Sequence, residues 1–553
     1  MAPAANVLTM NADTASPEGN GDGLAGTEVV VVGGGFGGLA SACYLAAAGA
    51  EVTVVEQNDQ LGGRASRLHR EGFRFDMGPS WYLMPDVFER FFGHFGREPG
   101  DYYDLERLDP HYRIFFKDGD RLDATGDLAE MRQLFDSYED GAGDALVEYL
   151  DGAREAYEVG MEHFVYTDRP RFRDYVDLDV IRNARGLGLL GSMRGHVADY
   201  FEHPKLRQVV QYSLVFLGGS PANTPALYKL MSHVDFGLGV YYPDGGMGAV
   251  VDGVADLGRE LGVTYETGRP VTAIEGSRGD FEVRTEAGPL KADLVLSDAD
   301  YAHTEQELLA PEHRQYDAEY WDSRTYAPSA FLMYLGVEGD LEPLAHHTLV
   351  LPPDWDPHFE SIFEEPGWPE DPAYYVCVPS RTDDSVAPSG HSNLFVLVPI
   401  APGLEDGPEI RNWYRDLVLD DLATNTGVDL RDRIVVEEYF SVSDFAGRYN
   451  SQQGTALGLA HTLRQTGPMR PDHRSSALDG LYFTGAYTRP GIGVPMCLIG
   501  GEHAARAIAE DEGVPEVIDE PVVPETDADA GVPETDADAG GVRANEPVTN
   551  GGP

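Results

Sequence analysis

The longest stretch of the chain without a charged residue runs from Val29 to Ala50, and glycines divide it into two apolar parts. Four consecutive valines, Val29 to Val32, predict a short buried strand, and the residues from Leu39 to Ala48 predict a helix. A membrane-spanning helix would need about 20 apolar residues, but five glycines between Gly33 and Gly38 would interrupt it. The pattern therefore predicts a strand, a glycine-rich turn and a helix.

The glycines of this turn have the spacing of a dinucleotide-binding motif. Gly33, Gly35 and Gly38 form G-x-G-x-x-G directly after the predicted strand. In such motifs the first glycine permits the tight turn, the second lets the backbone approach a pyrophosphate, and the third lets the helix pack closely on the sheet. The next predicted strand, Val52 to Val55, ends at Glu56, whose carboxylate would accept hydrogen bonds from ribose hydroxyls and repel a 2′-phosphate. We therefore predict a dinucleotide site for a cofactor other than NADP.

A similar arrangement is predicted near the other end of the chain. Leu481 to Gly485 predicts a short buried strand, and Met496 to Ala509 predicts an apolar helix. The turn between them contains Gly491, Gly493, Val494 and Pro495. A proline at the start of a helix, preceded by glycines, leaves backbone N–H groups without partners inside the helix. The positive end of this helix would stabilise an anionic ring system bound there.

Two shorter motifs follow the first turn. Gly62, Gly63 and Arg64 predict a loop in which the glycines contact a pyrophosphate and the arginine neutralises it, and an ordinary turn with an exposed arginine is the alternative. Gly78 lies in a Gly-Pro turn that would shape the pocket in which the ring system of the cofactor binds. Asp76, in the same motif, either fixes this turn or takes part in catalysis.

Three more elements are predicted between the two ends. Val250 to Leu261 predicts a helix, and Val271 to Ile274 predicts a strand. Ala292 to Ala299 predicts another strand, which ends in small polar residues and suits a nucleotide-binding sheet. We therefore expect late parts of the chain to return to the first sheet, so that the nucleotide domain is assembled from separate stretches.

The charge balance is strongly negative. There are 94 Asp and Glu residues against 40 Lys and Arg residues, which gives a net charge of -54. Residues 511–553, with twelve acidic residues and one arginine, carry only -11 of it, so the acidity is spread along the chain. A dense carboxylate surface is typical of proteins from concentrated salt, where screening removes the self-repulsion. The same charge disfavours nucleic acid as a partner.

The three cysteines predict neither a metal site nor a disulfide framework. Cys43, Cys377 and Cys497 are far apart, without the spacing of metal ligands, and we interpret them as reduced core residues. The N-terminus has no secretory signal, which predicts a cytoplasmic protein.

Both ends of the chain are predicted to be disordered. Residues 1–26 include a stretch rich in Gly, Asp, Ser and Pro. Residues 511–553 form an acidic tail in which Val523 to Gly531 is repeated unchanged as Val532 to Gly540. Two copies of a nine-residue unit cannot build a solenoid, so we assign this tail no chemistry.

Five motifs together resemble the phytoene desaturases, the carotenoid-modifying flavoproteins of the wider amine oxidase group. They are V-V-V-G-G-G-F-G-G-L, L-G-G-R, F-D-M-G-P-S, Y-P-D-G-G-M and G-A-Y-T-R-P-G-I-G-V-P, and the resemblance covers roughly residues 27–510. Amine oxidases usually carry an acidic residue directly after the glycine at Gly485, whereas this chain has Ala486 there. That difference favours the desaturase branch.

The resemblance implies an α/β fold, with a Rossmann-like FAD-binding domain and an interleaved α+β substrate domain. The FAD-binding domain would comprise residues 27–106, 237–301 and 471–510. The substrate and membrane-docking domain would comprise residues 107–236 and 302–470. FAD would be bound without a covalent link, and no catalytic residue is assigned.

The resemblance also implies roles for individual residues in holding FAD. The residues that would hold the ADP half are Gly33, Gly35, Gly38, Glu56, Gly62, Gly63 and Arg64. Val271 would contact the adenine through its backbone. The residues that would lie at the ring system are Gly491, Gly493, Val494 and Pro495, and Gly78 and Gly485 would also bind the cofactor.

The activity implied is desaturation of a carotenoid by hydride transfer to the flavin. The substrate would be phytoene, or a later carotenoid desaturated at the 3,4 position during synthesis of C50 pigments of the bacterioruberin type. A carotenoid isomerase or saturase using the same flavin is one alternative, and a prenyl-lipid escort without redox chemistry is another. The complete glycine turns at both ends favour a filled flavin site. The electrons would pass to a quinone, to oxygen or to another acceptor.

A lipophilic substrate implies peripheral association with a membrane. The strongly negative charge makes attraction to anionic lipids unfavourable, so docking would use an apolar patch. Apart from Arg207 and Lys229, the stretches Leu206 to Leu217 and Ala226 to Met231 are uncharged. They would line an apolar tunnel or form ordinary helix cores.

Overall fold

The computed structural model describes residues 23–171, 173, 191–462 and 464–514. Most of the two ends predicted to be disordered, residues 1–22 and 515–553, therefore lies outside the described residues. Two parts of these predictions are wrong. The amide of Leu24, a buried residue, donates to the carbonyl of Ala48 at 2.8 Å. The last helix runs to Asp511, and the amide of Val514 donates to the carbonyl of Ala509 at 2.8 Å.

The strands of the described chain vary from three to ten residues. They are β1 (Glu28–Val32), β2 (Glu51–Val55), β3 (Arg67–Arg70), β4 (Phe73–Asp76), β5 (Leu105–Arg107), β6 (Tyr112–Phe116), β7 (Arg121–Ala124), β8 (Tyr241–Pro243), β9 (Thr264–Glu266), β10 (Val271–Glu275), β11 (Phe281–Thr285), β12 (Leu290–Ala292), β13 (Leu294–Ser297), β14 (Ser329–Glu338), β15 (His347–Leu351), β16 (Tyr374–Cys377), β17 (His391–Ile400), β18 (Ile434–Phe440) and β19 (Leu481–Phe483).

The α-helices of the described chain lie between and around these strands. They are α1 (Phe36–Ala47), α2 (Pro85–Gly93), α3 (Leu128–Tyr138), α4 (Ala142–Gly160), α5 (Met193–Ala198), α6 (Pro204–Val209), α7 (Leu230–Ser232), α8 (Met247–Glu260), α9 (Tyr301–His303), α10 (Ala318–Asp322), α11 (Asp356–Phe363), α12 (Pro408–Thr426), α13 (Val442–Tyr449) and α14 (Val494–Asp511). None of the helices in the described residues is both long and apolar enough to cross a membrane.

A parallel sheet with the strand order β19-β13-β1-β2-β9 contains the predicted glycine-rich unit. Its strand β1 is buried on both faces, as the run of valines predicts. Val29 and Val31 pack in a core with α1, α8 and α14, whereas Val30 and Val32 pack against β10 and β11. The strands of this sheet come from three separated stretches, because β9 and β13 follow residue 237 and β19 follows residue 471.

Two predicted strands differ from the structure. The strand predicted from Ala292 to Ala299 is divided into β12 and β13, because Asp293 turns the chain at the start of β1. Its carboxylate accepts from the amide of Glu28 at 2.9 Å, and its own amide donates to the carbonyl of Glu28 at 2.8 Å. The strand β10 does not join the first sheet, since it pairs with β11 in a separate antiparallel sheet of order β10-β11-β12.

A second large sheet has the order β18-β14-β17-β16-β15-β6-β7. It is built from residues 107–236 and 302–470, and its long strand β14, which lies between β18 and β17, is covered on both faces. Leu332 and Tyr334 pack in the core that includes α3, α4, α5 and α6. Phe331 and Met333 pack on the opposite side, in the core that includes α12. This alternation follows from the two-residue period of a strand.

Asp76, at the end of β4, connects two of the sequence motifs. Its carboxylate oxygens accept from the amides of Met247 and Gly248 at 2.8 and 3.2 Å. Asp76 therefore caps α8, which is why this helix begins at Met247 instead of the predicted Val250. Burial raises the pKa of Asp76 to about 6, against the opposing effect of these two amides. Of the two roles considered for Asp76, the contacts support the structural one.

We expect the buried carboxylate of Glu502 to stabilise the docking of α14 on α2. Burial alone would raise its pKa, but hydrogen bonds from Arg90 and the charge of Arg90 lower that pKa to about 2. Its stabilising contribution is therefore complete above the ordinary Glu pKa and is lost as the pH falls through about 2. Glu502→Gln should lower the free energy of unfolding by about 3 kcal/mol at neutral pH.

The measurement is urea unfolding of both proteins at constant high salt, at neutral pH and at several acidic values. The difference between the proteins should shrink as the pH falls below the ordinary Glu pKa. Glu510→Gln is the matched control, because Glu510 lies on the same helix but forms an exposed pair with Arg474. This control should change stability by less than about 0.5 kcal/mol. Equal effects of the two substitutions would contradict the prediction.

Candidate flavin site and substrate cavity

An elongated cavity of about 540 Å³ connects the parallel sheet with the seven-stranded sheet. At one end it is lined by residues that follow β1, β2 and β13, which are the carboxyl ends of neighbouring parallel strands. That position is the usual ligand crevice of an open α/β sheet. Of the predicted cofactor residues, those in the cavity wall are Gly33, Gly35, Glu56, Gly62, Gly63, Arg64, Gly78, Val271, Gly485, Gly493, Val494 and Pro495.

The glycines of the first turn are required by close backbone contacts. Gly33 has a φ of 101°, which few other residues adopt. A methyl group on Gly38 would lie 2.4 Å from the carbonyl oxygen of Gly33, so this residue fits the predicted packing role although it does not line the cavity. A methyl group on Gly37 would lie 2.9 Å from the amide nitrogen of Gly485. The N-terminal turn therefore touches the C-terminal one.

Glu56 is held firmly at the end of β2. One carboxylate oxygen accepts from the amide of Gly34 at 2.8 Å, and the other accepts from the amide and the side chain of Asn58, both at 2.8 Å. The residue is buried and lies in the cavity wall. Its contact with a ribose stays a prediction, but the carboxylate is in the place where the sequence pattern puts it.

Arg64 offers a positive charge beside the glycine turn. Its guanidinium donates to Ser451 at 3.3 Å, and its Nε is buried without a hydrogen-bond partner among the described residues. Gly63 approaches the turn closely, since a methyl group there would lie 3.3 Å from the Cα of Gly35. The segment is a short 3-10 helix, Gly63–Ala65, and not an irregular loop.

The C-terminal turn presents the start of α14 to the same cavity. The helix begins at Val494, and Gly493, with a φ of 115°, caps it without a side-chain hydrogen bond. Gly493, Val494, Pro495 and Met496 all line the cavity. The first-turn N–H groups thus point towards the space in which the predicted ring system would lie.

Gly491 does not line the cavity, because His461 lies against it. A methyl group on Gly491 would be 2.4 Å from the imidazole ring of His461. The Nε2 atom of His461 accepts from the amide of Ile492 at 3.1 Å, so its Nδ1 carries the proton and donates to Tyr228 at 2.9 Å. Burial, followed by the charge of Arg470, lowers the pKa of His461 well below its usual range. No local sequence motif marks this neutral pair, so it could not be predicted from the sequence.

Asp298 is another residue of the site that no sequence motif marks. It follows β13, is half-buried and lines the cavity. One of its carboxylate oxygens would be 2.6 Å from a methyl group on Gly35, and the other 2.7 Å from one on Gly37. The close approach at Gly35, predicted for a pyrophosphate, is thus made by the Asp298 carboxylate. One indication of this position is present in the sequence, because the strand predicted from Ala292 to Ala299 ends in small polar residues.

Beyond the ring end, the cavity continues as an apolar arm. Its lining includes Met84, Leu230, Met231, Leu349, Leu351, Trp355, Phe359, Ile362 and Leu397. Leu230 and Met231 belong to an uncharged stretch that the sequence suggested for a tunnel. His358 also lines this arm, but it accepts from the amide of Ala373 at 2.9 Å and donates to the carbonyl of Pro399 at 2.7 Å. Burial lowers its pKa to about 4, so it is neutral at physiological pH.

The structure brings together metal-ligating side chains that the sequence spacing did not indicate. The potential ligand atoms of His346, His347 and Cys377 lie within 4.8 Å of one another, and all three residues are buried. The two imidazoles are hydrogen-bonded through Nδ1, to Thr382 and Tyr375 respectively, both at 2.7 Å. Cys43 is also buried, as expected, whereas Cys497 is half-buried and lines the cavity.

Comparison with known proteins agrees with this geometry. The family model for flavin-containing amine oxidoreductases matches residues 36–509. This chain belongs to that family. The fold class and the enzyme class predicted from the sequence are thereby confirmed, and the cofactor is a flavin.

Two relatives confirm the resemblance to carotenoid desaturases. A carotenoid 3,4-desaturase of Haloarcula japonica is 69% identical over 490 residues, which cover 88% of this chain and 99% of the relative. A zeta-carotene-forming phytoene desaturase of Myxococcus xanthus is 35% identical over 494 residues, which cover 88% of this chain and 93% of the relative.

Solved structures share the fold at low sequence identity. An oxidoreductase of Methanosarcina mazei has a TM-score of 0.58 at 17% identity and covers 87% of this chain and 100% of its own. Wild-type putrescine oxidase bound to putrescine has a TM-score of 0.56 at 16% identity and covers 88% of this chain and 98% of its own. At these identities the likeness concerns the fold alone.

The residues present fit a flavin. Glycine turns from both ends of the chain line one cavity, and the contact between them leaves no room for a side chain at Gly37. The buried Nε of Arg64 is an unused donor beside the turn that is predicted to bind phosphate. The start of α14 supplies backbone donors at the opposite end. The cavity therefore offers donors for an anionic group at one end and for a ring system at the other.

We expect Gly37→Ala to weaken flavin binding and the fold together. The new methyl group would meet the carboxylate of Asp298 at 2.7 Å and the backbone of Gly485 at 2.9 Å, so that backbone has to shift. The flavin absorbance of the purified protein should fall at least about threefold, and the unfolding free energy by about 1–3 kcal/mol.

The matched control is Gly447→Ala, because Gly447 lies within α13 and a methyl group there meets no atom within 4 Å. This variant should keep its flavin and gain up to about 1 kcal/mol of stability. Absorbance spectra and thermal unfolding measure both effects. A Gly37→Ala protein with full flavin content would show that the contact between the two turns is not needed.

Proposed function

We propose that this protein is an FAD-dependent carotenoid 3,4-desaturase. The observation that carries the proposal is the 69% identity with the Haloarcula japonica carotenoid 3,4-desaturase over nearly the whole length of that relative. The apolar arm of the cavity supports the proposal, because a polyene needs a long apolar channel that ends at the flavin. The strongly acidic composition agrees with a source that lives in concentrated salt.

FAD is the form of flavin that suits the length of the site. The predicted contacts run from Val271 and Glu56 at the adenosine end, past the glycine turn, to Val494 at the ring end. A mononucleotide would leave the adenosine end, with its ordered Glu56 carboxylate, without a ligand. We therefore assign the dinucleotide to the nucleotide-binding sheet.

The reaction removes a hydride from one carbon and a proton from its neighbour, and the electron pair of the second C–H bond becomes the new C=C bond. When bound, the flavin supplies the hydride acceptor. The chain itself binds the polyene, orients it and excludes water through the apolar arm. Trp355 and Phe359 line this arm, and their aromatic rings would stabilise positive charge spread over the conjugated system.

The positions of the carboxylates limit the choice of a proton acceptor. Glu56, Asp298 and Asp300 are the carboxylates of the described cavity wall, and all three follow strands of the nucleotide-binding sheet. His461 and His358 have low pKa values, and both of their ring nitrogens are already hydrogen-bonded. We therefore assign no protein residue as the base.

The first experiment is expression under high salt in hosts that accumulate phytoene, lycopene or a hydroxylated C50 precursor. Pigments are separated by chromatography and identified by mass. A product two hydrogens lighter, with a new 3,4 double bond in the C50 precursor, is expected, and phytoene should stay unchanged. Desaturation of phytoene would instead identify the early enzyme. A product of unchanged mass would indicate an isomerase, and a product of increased mass would indicate a saturase. Purified protein without flavin absorbance would indicate a prenyl-lipid escort.

We also propose that the protein is cytoplasmic and docks on membranes to collect its substrate. The reason is that carotenoids partition into bilayers, so an enzyme of this kind has to meet them there. Flotation with liposomes of neutral lipid at high salt should carry most of the flavin-loaded protein upwards. Protein that stays at the bottom of the gradient, while remaining active on carotenoid in detergent, would contradict membrane docking.

We expect Ala373→Phe to block the apolar arm without emptying the flavin site. Ala373 lines the arm next to His358, and a benzyl group there would fill part of the channel. Desaturation should fall at least about tenfold, whereas flavin absorbance should stay unchanged. The control is Ala129→Phe on the exposed face of α3, outside the cavity. Full activity of Ala373→Phe would show that the polyene binds elsewhere.

A further inference from the structure

Asp298 is an acidic residue that lies directly against the predicted phosphate-binding turn. Its two carboxylate oxygens are wedged between Gly35 and Gly37 on one side and Gly485 on the other. Methyl groups on these three glycines would come within 2.6, 2.7 and 2.7 Å of the carboxylate. The side chain is half-buried in the protein and lines the cavity that the cofactor would fill. Nothing in the dinucleotide motif itself calls for an acid at this place.

The carboxylate lies where negative charge is unfavourable once a pyrophosphate is bound. The N-terminus of α1 has no side-chain cap from Gly35, and its first-turn amides are the groups that bind phosphates in such turns. Asp298 faces the same amides from β13. An ionised carboxylate and a pyrophosphate would therefore hold like charges at one helix end in a site of low dielectric.

We infer that Asp298 is a cofactor-positioning residue that retains FAD only as a neutral carboxylic acid. Neutral Asp298 leaves the positive end of α1 to the pyrophosphate and can donate its own proton in a hydrogen bond. Ionised Asp298 competes with the pyrophosphate and weakens its binding. The inference rests on the proposal that the flavin of this chain is FAD.

The surroundings of Asp298 allow a neutral acid near physiological pH. Burial raises its pKa to about 7, against the opposing effect of the Gly38 amide, and the charge of Glu56 raises it further. Arg64 is the positive group that faces it, and its charge opposes this rise of the pKa of Asp298. The thiol of Cys497 in α14 is also near, but burial raises its pKa to about 12, so it stays neutral.

The sign of the pH dependence follows from proton linkage. Bound pyrophosphate raises the pKa of Asp298 above its value in the FAD-free protein. Between these two pKa values, FAD binding takes up one proton, so its dissociation constant rises by up to about tenfold for each pH unit. Below this range the acid is neutral in both states, and affinity is independent of pH. FAD should therefore be retained at mildly acidic pH and released more readily at alkaline pH.

The test is equilibrium dialysis of the full-length protein against graded FAD at constant high KCl, from about pH 5.5 to about pH 9. The dissociation constant of the wild-type protein should rise about tenfold or more between pH 7 and pH 8.5. Asp298→Asn, which is a permanently neutral isostere, should bind FAD with less than about a twofold change over the same range.

Asp300→Asn is the matched control. Asp300 lies two residues away in the same loop, is buried and also has a raised pKa, but it caps α9 through the amide of His303 at 3.2 Å. This variant should keep the pH dependence of the wild type. An unchanged slope in Asp298→Asn, or a flat wild-type profile with FAD bound, would overturn the role of Asp298. A wild-type protein that binds no FAD at any pH would overturn the cofactor assignment itself.

Discussion

The contact between Gly37 and Gly485 is the constraint on which the rest of the site depends. These residues are separated by most of the chain, yet the backbones approach so closely that a single methyl group would reach 2.9 Å from an amide nitrogen. The contact fixes the start of α1 against the turn that follows β19. It thereby places the start of α1, where we predict phosphate binding, and the start of α14, where we predict the ring system, at one cavity. The distance between them sets the length of cofactor that fits.

Asp76 also fixes two distant segments against each other, at the boundary between the two large sheets. By capping α8 it ties the F-D-M-G-P-S motif to the Y-P-D-G-G-M motif, and both lie at the boundary between the two large sheets. Phe73 and Phe75, in the same strand, pack in the core of the seven-stranded sheet. Two motifs that are separate in the sequence are therefore joined by the hydrogen bonds of Asp76. We infer that this connection helps to fix the orientation of the apolar arm relative to the flavin end.

Burial keeps the polar groups of the cavity largely neutral. His358 and His461 have lowered pKa values and saturated hydrogen bonds, while Asp298 has a raised pKa. Charge is retained mainly at the nucleotide end, where Arg64 lies. A dry, neutral arm beside a charged nucleotide end suits chemistry in which the protein positions a lipophilic molecule and the cofactor accepts the electrons.

The sequence by itself determined the glycine turns, the strands next to them, the family and the acidic character, because these depend on local backbone geometry and composition. The runs Val29 to Val32 and Leu481 to Phe483 could be read directly, since buried parallel strands are continuously apolar. Tertiary structure decided that the strand predicted from Ala292 is divided into β12 and β13, because Asp293 accepts a hydrogen bond from Glu28, a residue 265 positions away. It also decided that Asp298 and His461 belong to the site. Their importance comes from burial and from contacts with distant glycines, which leave no periodic pattern in the chain.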